Sequence, residues 1–314
     1  MLRIYSHPAS HLHVTPPGHP ERVARIETVD RLLQRAPYDK IERVEAPAAT
    51  DEQILRAHTP AHLKLVLDNI PADGWYSFDG DTHMGPDSVT AARHAAGANV
   101  AATEAVMAGE IRTAFCAVRP CGHHAERSRA MGFCIFSNIA IGALHALEAL
   151  GVERIAIMDF DVHHGNGTQD IFWQDPRVRF ASTHQMPLYP GSGSARETGA
   201  GNIVNVPLAP GSGGAEMREG FEEHVLPALR DHNPQLVMIS AGFDAHRDDP
   251  LASLNWTAED FGWATARICE VAAEHCEGRV VSTLEGGYDL DGLAESTAAH
   301  LDALDAHVRG LGGL

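Results

Sequence analysis

The sequence predicts an α/β fold in which a central, mostly parallel β-sheet is flanked by helices. Three observations lead to this prediction. Short apolar runs alternate with helical patterns along the whole chain. The apolar runs lack polar alternation, which is typical of strands buried on both faces of a parallel sheet. We find no internal repeat, low-complexity linker or sharp change of composition, so we expect residues 1–314 to form one domain.

Six apolar runs are candidate strands: RIYS (3–6), TAFCA (113–117), RIAIMD (154–159), VRFAS (178–182), QLVMIS (235–240) and RVVST (279–283). The third run also contains the β-branched residues Ile155 and Ile157, which favour a strand over a helix. Five amphipathic or Ala-rich stretches are candidate helices, at residues 21–34, 87–108, 137–150, 215–231 and 257–274. The last stretch opens with a capping signal, because Thr257 stands three residues before Asp260.

The charge and composition exclude several classes of protein. The chain carries 42 acidic and 24 basic residues, a formal net charge of −18, which argues against nucleic-acid binding. This charge is compatible with steering a cationic substrate, such as a Lys-rich peptide or a polyamine, and equally with simple solubility. The polar start, MLRIYSHPAS, and the lack of a long apolar window predict neither a signal peptide nor a membrane span. Five cysteines without a CxxC pair indicate reduced thiols and a cytoplasmic protein.

Five polar, glycine-containing loops follow the predicted strands. In chain order they read RPCGHHA, DFDVHHGNG, THQMPLYPGSG, SAGFDAHRDDP and LEGGYD. Functional sites of parallel α/β sheets lie at the carboxyl ends of the strands. We therefore expect the five loops to build one composite site.

The segment DFDVHHGNGTQD, residues 159–170, predicts a divalent metal site. Asp159, Asp161, His163 and His164 cluster at the end of a buried strand, where ionisable groups are costly unless a metal or a partner charge is present. Asp161 and His163, together with Asp244 of the SAGFD loop, would leave an open coordination position, as catalytic zinc sites do. The same donors would also accept Fe²⁺ or Co²⁺.

The other loops supply residues for acid–base chemistry beside that metal. His123 and His124 could face a water molecule there, one as general base and then general acid, the other orienting and carrying charge. Asp159 could hydrogen-bond the Nδ1 atom of one histidine, and Asn166 that of the other. Tyr288, after two glycines, could donate to a developing oxyanion.

These segments resemble the arginase–deacetylase superfamily, specifically the class II-like histone deacetylases and the bacterial histone deacetylase-like amidohydrolases. The matching segments run in the family's order and cover essentially the whole chain. They are PGHPERVARIE (17–27), RPCGHHA (119–125), GFCIFSNIA (132–140), DFDVHHGNGTQD (159–170), LYPGSG (188–193), SAGFDAHRDDPL (240–251) and LEGGYDL (284–290). The resemblance implies the arginase–deacetylase fold and, from the compact length, a bacterial enzyme.

The resemblance also implies a role for individual residues. Zinc would be held by Asp161, His163 and Asp244, with His123 and His124 as the catalytic histidines and Tyr288 as the carbonyl-polarising tyrosine. The substrate tunnel would use Phe133 and Tyr189 as walls, the Gly132 carbonyl as acceptor of the amide N–H and Asp81 as the rim aspartate. Arg22 would lie near an internal acetate channel. A structural K⁺ ion would use Asp159, Ser182 and the backbone carbonyls of Asp161, His163 and Thr183.

Two positions depart from relatives in the family. Asn166 replaces an aspartate of the class I enzymes, as expected for a class II-like enzyme. The pair of Asn166 with its catalytic histidine is therefore less polarised than an aspartate–histidine pair. Leu251 is also expected to bind the substrate, and it stands where polyamine-specific members can carry a glutamate, which weakens the polyamine interpretation.

The resemblance thus predicts zinc-dependent removal of acetyl or short acyl groups from lysine ε-amines of peptides or proteins. Three alternatives remain. An acetylpolyamine amidohydrolase would act on acetylated small amines. Arginase-like ureohydrolysis needs further carboxylates near His163, where the chain has His164 and Asn166. A non-catalytic acyl-lysine binding protein should lack a ligand, a catalytic histidine or the tyrosine, and all are present. The sequence leaves open the physiological substrate, the acyl length, the native metal and whether the chain forms a homo-oligomer.

Overall fold

Ten strands lie within residues 1–311, the part of the chain that this computed structural model describes. They are β1 (Leu2–Ser6), β2 (Glu42–Glu45), β3 (Tyr76–Ser77), β4 (His83–Met84), β5 (Thr113–Cys116), β6 (Ile155–Asp159), β7 (Val178–Gln185), β8 (Ile203–Leu208), β9 (Leu236–Ala241) and β10 (Val280–Leu284). Eight of them form one sheet in the order β2-β1-β5-β10-β9-β6-β7-β8, and every pairing in it is parallel. The short strands β3 and β4 pair antiparallel. The predicted α/β class with a central parallel sheet is confirmed.

The six predicted strands correspond to β1, β5, β6, β7, β9 and β10. The two edge strands of the sheet were not predicted. β2 reads ERVE and is largely exposed, and β8 contains Pro207. An edge strand pairs on one side only, so it tolerates polar residues, as in β2, and proline, as in β8.

Ten α-helices lie within residues 1–311. They are α1 (Val23–Leu33), α2 (Asp51–Ala57), α3 (Pro60–Asp68), α4 (Ser88–Met107), α5 (Asn138–Ala149), α6 (Asn166–Phe172), α7 (Gly214–Gly220), α8 (Leu226–His232), α9 (Ala258–His275) and α10 (Leu290–Leu311). α2, α3, α6 and α10 were not predicted. The predicted capping box of α9 is confirmed, because the Asp260 carboxylate accepts from the Thr257 backbone N–H at 2.9 Å.

The stretch predicted as one helix at residues 215–231 is instead three consecutive segments. A π-helical turn, Phe221–Val225, separates α7 from α8. Pro227 lies in the first turn of α8 and has no N–H to donate to the preceding turn, so a regular α-helix cannot run through this position.

The helices cover both faces of the sheet, and the side chains of each strand alternate between the two cores. On β6, Ile155 and Ile157 pack in the core beneath α2–α6, while Ala156 and Met158 pack in the core beneath α1 and α7–α10. This two-sided burial explains the continuous apolar character of the inner strands. Residues 1–311 contain no helix with the length and apolar character of a membrane span.

The sheet order brings the loops that carry the site to one edge. β5, β10, β9, β6 and β7 are consecutive neighbours, and all point in the same direction. In register, Asp159 at the end of β6 lies opposite Ser182 of β7 and Ser240 of β9. The loops after these five strands therefore meet above the middle of the sheet.

We expect acid to destabilise the fold in part through His300. This buried side chain bridges Thr265 Oγ1 at 2.6 Å and Ser282 Oγ at 2.8 Å, and burial lowers its pKa to about 3. The unfolded histidine titrates near 6.5, so between these values the unfolded chain binds one more proton, and stability decreases as the pH is lowered. At pH 5 the free energy of unfolding should be lower than at neutral pH by about 2 kcal/mol.

The measurement is the free energy of unfolding in urea at pH 7.5 and pH 5.0. His300→Asn should reduce the loss between the two pH values by roughly that amount, and the exposed His224→Asn should leave it unchanged. An equal pH dependence in wild type and His300→Asn would contradict the prediction.

Candidate active site

Three ionisable side chains converge where β6 and β9 end. Asp161 and His163 follow β6, Asp244 follows β9, and all three are buried. Their candidate ligand atoms lie within 4.8 Å of one another. His163 Nδ1 is 3.2 Å from Asp161 Oδ1 and 3.0 Å from Asp244 Oδ2. The structure thus brings together the three residues predicted to bind metal.

The chemistry of this cluster fits a divalent cation. Burial lowers the pKa of His163, but Asp161 and Asp244 outweigh it and raise the pKa to about 10. Burial and the charge of Asp161 raise the pKa of Asp244. Both shifts arise from excess negative charge in a desolvated place, which a cation would neutralise. One imidazole and two carboxylates are a donor set that zinc accepts.

Backbone amides orient the two carboxylates. The N–H of Val162 donates to Asp244 Oδ1 at 2.9 Å, and the N–H of Gly286 donates to Asp161 Oδ2 at 2.8 Å. A Cβ atom on Gly286 would lie 2.1 Å from Asp244 Oδ2, so only glycine lets the loop after β10 approach this closely. Such partners hold ligands in position before an ion binds.

His123 and His124 lie beside the cluster, with ring centroids 4.0 Å apart. His123 Nδ1 is 3.0 Å from Asp159 Oδ2, and its Nε2 is 3.7 Å from Asp161 Oδ2. Burial lowers the pKa of His123, yet Asp161 and Asp159 raise it well above the ordinary value. His123 is therefore the histidine of the pair that favours its charged form.

His124 has the opposite electrostatic environment. Burial, followed by repulsion from His123 and His163, lowers the pKa of His124 well below its ordinary value. His124 Nδ1 is 2.8 Å from Asn166 Oδ1, while the Asn166 amide donates to Glu126 Oε1 at 2.8 Å. Glu126 thus fixes the orientation of the Asn166 amide, and the Asn166 oxygen favours a proton on Nδ1. Nε2 of a neutral His124 is then free to accept a proton.

A cavity of ≈ 220 Å³ leads from the surface to these residues. It is lined by Asp81, His124, Gly132, Phe133, His163, Leu188, Tyr189, Leu251 and Tyr288. All five predicted substrate-binding residues are in this set.

The walls of the cavity are aromatic. The Tyr189 ring centroid is 5.2 Å from that of His124, and the Phe133 centroid is 5.9 Å from that of Tyr288. Gly132 and Phe133 both have positive φ, at 56° and 69°. A Cβ on Gly132 would lie 2.4 Å from His124 Cδ2, and a phenylalanine in this backbone region is strained, as residues at functional sites often are.

Tyr288 lies in the loop after β10 and lines the same cavity as His124 and His163. It is buried, and its desolvation raises the pKa of its phenol well above 10. The phenol therefore remains a hydrogen-bond donor across the physiological pH range.

The match to a family model decides which family this site belongs to. The model described as the histone deacetylase domain matches residues 19–304. The chain belongs to the histone deacetylase family. The resemblance identified from its motifs is confirmed.

Individual relatives agree with the family model. A probable deacetylase of Archaeoglobus fulgidus is 40% identical over 292 residues, covering 91% of this chain and 80% of the relative. A histone deacetylase-like amidohydrolase of Pseudomonas aeruginosa is 39% identical over 286 residues, covering 90% of this chain and 74% of the relative. The crystal structure of the HDA15 HD domain matches with a TM-score of 0.91 and 33% identity, covering 98% of this chain and 88% of that one. The chain is a hydrolase of the histone deacetylase family.

One residue inferred from the family resemblance lies elsewhere than expected. Arg22 is exposed at the N-terminus of α1 and lines an outer groove, so it is not an internal arginine. Arg25, one helical turn further along, is buried, and its guanidinium carbon lies 4.9 Å from the centroid of the Tyr288 ring. The start of the helix explains the difference, because Arg22 is the N-cap residue with extended backbone (φ −137°, ψ 159°), whereas Arg25 lies within α1 on its buried face.

Glu285 is a buried residue near the site whose role the sequence motifs did not predict. Its carboxylate accepts from the Gly122 N–H at 2.7 Å and the His123 N–H at 3.2 Å. It therefore braces the loop that carries the histidine pair in this histone deacetylase relative. The signal in the sequence was an acidic residue in the LEGGYD loop, two positions after the strand run 279–283.

His164 does not face the metal cluster. Its Nδ1 atom is 2.8 Å from Ser192 Oγ and its Nε2 atom is 3.0 Å from Gln169 Oε1. Both ring nitrogens are therefore engaged away from His163. This orientation gives no support to a second metal of the arginase type.

Proposed function

We propose that the chain hydrolyses the amide of N-acetyl-lysine, or of a lysine with another short acyl group, in peptides or proteins, using a divalent metal at Asp161, His163 and Asp244. The observation that carries the proposal is the cavity lined by Tyr288, by His124 and by His163 of the metal-ligand cluster. Zinc, when bound, would polarise the substrate carbonyl and lower the pKa of a water molecule. The donor set also accepts Fe²⁺ or Co²⁺.

The two histidines would have separate tasks. His124 Nε2 takes a proton from the attacking water, since His124 is the histidine that favours its neutral form. The same imidazolium then gives this proton to the departing nitrogen, which leaves as the free amine. His123, which favours its charged form beside Asp159, stabilises negative charge that develops nearby and orients His124. The products are acetic acid, which ionises at neutral pH, and the amine.

Tyr288 would stabilise the carbonyl oxygen as it becomes an oxyanion. Its hydroxyl is a preorganised donor in a desolvated place, where such a hydrogen bond contributes most. Phe133 and Tyr189 would enclose the straight methylene chain of lysine, and the Gly132 carbonyl would accept the amide N–H. Asp81 would bind the substrate backbone at the rim.

A lysine side chain within a peptide is favoured over a small acetylated amine by two features of the entrance. Leu251 offers no charge to a second amine of a polyamine. It also borders an outer groove of ≈ 620 Å³, which includes Pro16, Pro17, His19 and Arg22. A groove of this size, continuous with the tunnel through Leu251 and Tyr288, suits the chain on either side of a modified lysine.

A structural K⁺ ion is also part of the proposal. Asp159 and Ser182 are paired in the register of β6 and β7. With the carbonyls of Asp161, His163 and Thr183 they would form an all-oxygen donor set, which hard cations prefer. Such an ion would brace the loop that carries Asp161 and His163.

The test is turnover by zinc-loaded protein of an acetyl-lysine peptide, compared with acetylputrescine and acetylspermidine. We expect cleavage of the peptide that a chelator abolishes and added Zn²⁺ restores. Preference for the small amines would replace the proposal with an acetylpolyamine amidohydrolase. Peptide binding without turnover of any substrate would indicate a non-catalytic acyl-lysine binding protein.

A further inference from the structure

Asp249 connects two loops of the site through a single buried carboxylate. It follows Asp244 in the loop after β9, and its exposure is 6%. Oδ1 accepts from the Leu251 N–H at 3.0 Å. Oδ2 accepts from the Tyr288 N–H at 2.7 Å and from the Asp289 N–H at 3.3 Å. One side chain therefore contacts the backbone of both the entrance residue and the tyrosine.

The loop that carries Tyr288 is held on its other side by an opposite charge. Arg25 Nε donates to the Gly287 carbonyl at 2.6 Å, and Arg25 Nη2 donates to the Glu285 carbonyl at 2.5 Å. Arg25 thus binds backbone carbonyls of residues 285–289, while Asp249 binds backbone amides of the same segment. Arg25 is in turn bound by the buried Glu21, whose Oε1 is 3.0 Å from Arg25 Nη1. Of these two supports, only Asp249 also reaches the entrance.

We propose that Asp249 is a positioning residue, which sets the place of the Tyr288 hydroxyl relative to the tunnel entrance at Leu251. The inference rests on the proposed function for its catalytic consequence. Asp249 does not line the tunnel, whereas Leu251 and Tyr288 both do. Its effect on turnover would therefore pass through those two residues.

A carboxylate is the side chain that this arrangement needs. Three N–H groups point at two oxygens, so both oxygens must be acceptors. An asparagine has nearly the same shape but only one acceptor oxygen. Its NH₂ group would face a backbone N–H of one of the two loops and displace that loop. A displacement of about 1 Å at a reacting group can cost on the order of a hundredfold in rate.

The test is a double-mutant cycle between Asp249→Asn and Tyr288→Phe, with kcat and KM measured on an acetyl-lysine peptide. In the wild-type background, Asp249→Asn should lower kcat by roughly tenfold to a hundredfold. In the Tyr288→Phe background the same change should lower kcat by less than about twofold, because the hydroxyl that Asp249 positions is already absent. Equal fractional losses in both backgrounds would overturn the proposal.

Asp248→Asn is the matched control. The neighbouring Asp248 carboxylate is exposed and lies 3.7 Å from His246 Nδ1 and from Arg247 Nε, and it accepts no hydrogen bond from the Leu251 or Tyr288 backbone. This variant should retain wild-type kcat and KM. If Asp249→Asn does not fold, Asp249→Ser takes its place in the cycle, because serine places no NH₂ group against the Tyr288 amide.

Hydrogen–deuterium exchange separates this proposal from the proposed function. In Asp249→Asn, amides in the peptides that contain residues 250–252 and 286–290 should exchange faster than in wild type and in Asp248→Asn. Unchanged exchange in these peptides would overturn the positioning role even if the wild type hydrolyses no acyl-lysine. Faster exchange with an inactive wild type would support the structural link and reject only the proposed function.

Discussion

Asp244→Asn should lose tight zinc binding and nearly all hydrolytic activity while keeping its fold. The change removes one negative charge from the cluster of Asp161, His163 and Asp244. The amide oxygen of the new asparagine can still accept from the Val162 N–H. Losing the metal removes several kcal/mol of transition-state stabilisation, so we expect a drop in kcat/KM on the order of 10³-fold or more.

Two measurements check this prediction. Metal analysis after dialysis against trace zinc should find about one equivalent in wild type and in Asp248→Asn, and far less in Asp244→Asn. Added zinc should raise the melting temperature of wild type but not of Asp244→Asn, because only binding to the folded state stabilises it. Full zinc occupancy in Asp244→Asn would remove Asp244 from the set of ligands.

Tyr288→Phe should lower kcat by on the order of a hundredfold or more, with little change in KM and none in zinc content. The variant loses only the hydroxyl, while the ring keeps its contacts with Arg25 and Phe133. The loss should therefore appear in turnover rather than in binding or stability. Because the pKa of this phenol is raised well above 10, ionisation of Tyr288 should not limit the wild-type rate at any pH below 10.

Tyr38→Phe is the control for loss of a phenolic hydroxyl. Tyr38 OH donates to Asp302 at 3.0 Å, and neither residue lines the tunnel. We expect Tyr38→Phe to change stability and leave kcat intact, the reverse of the pattern at Tyr288. Near-wild-type turnover by Tyr288→Phe would refute its role as an oxyanion donor.

The inner part of the fold could be predicted from the sequence because its physical signal is local. Strands such as β6 and β9 are buried on both faces, so each is a continuous apolar run. The edge strand β2 could not be recognised, since ERVE has little apolar character and is held by its pairing with β1. The edge strand β8 was not recognised because Asn205 and Pro207 interrupt its apolar run. α10, which packs on α9 and α1, was not predicted either, although buried leucines recur along it.

Within the site, a residue could be predicted when its chemistry is rare at its position. Two aspartates and two histidines at the end of an apolar strand have few explanations besides a metal, so Asp161 and His163 were identified directly. Glu285 and Asp249 carry ordinary carboxylates in loops rich in acidic residues. Their importance lies in the backbone amides they accept, and those contacts join residues far apart in the chain.

By itself, the sequence determined the α/β class, the family and the set of side chains that can do the chemistry, because residue type and spacing along the chain are sufficient for each. Only the tertiary structure decided which histidine favours its charge, that Arg25 rather than Arg22 is the internal arginine, and that Asp249 links the entrance to Tyr288. A pKa depends on burial and on charges within a few ångströms, and the direction of a side chain depends on what packs around it. Both arise from neighbours that the chain brings together only by folding.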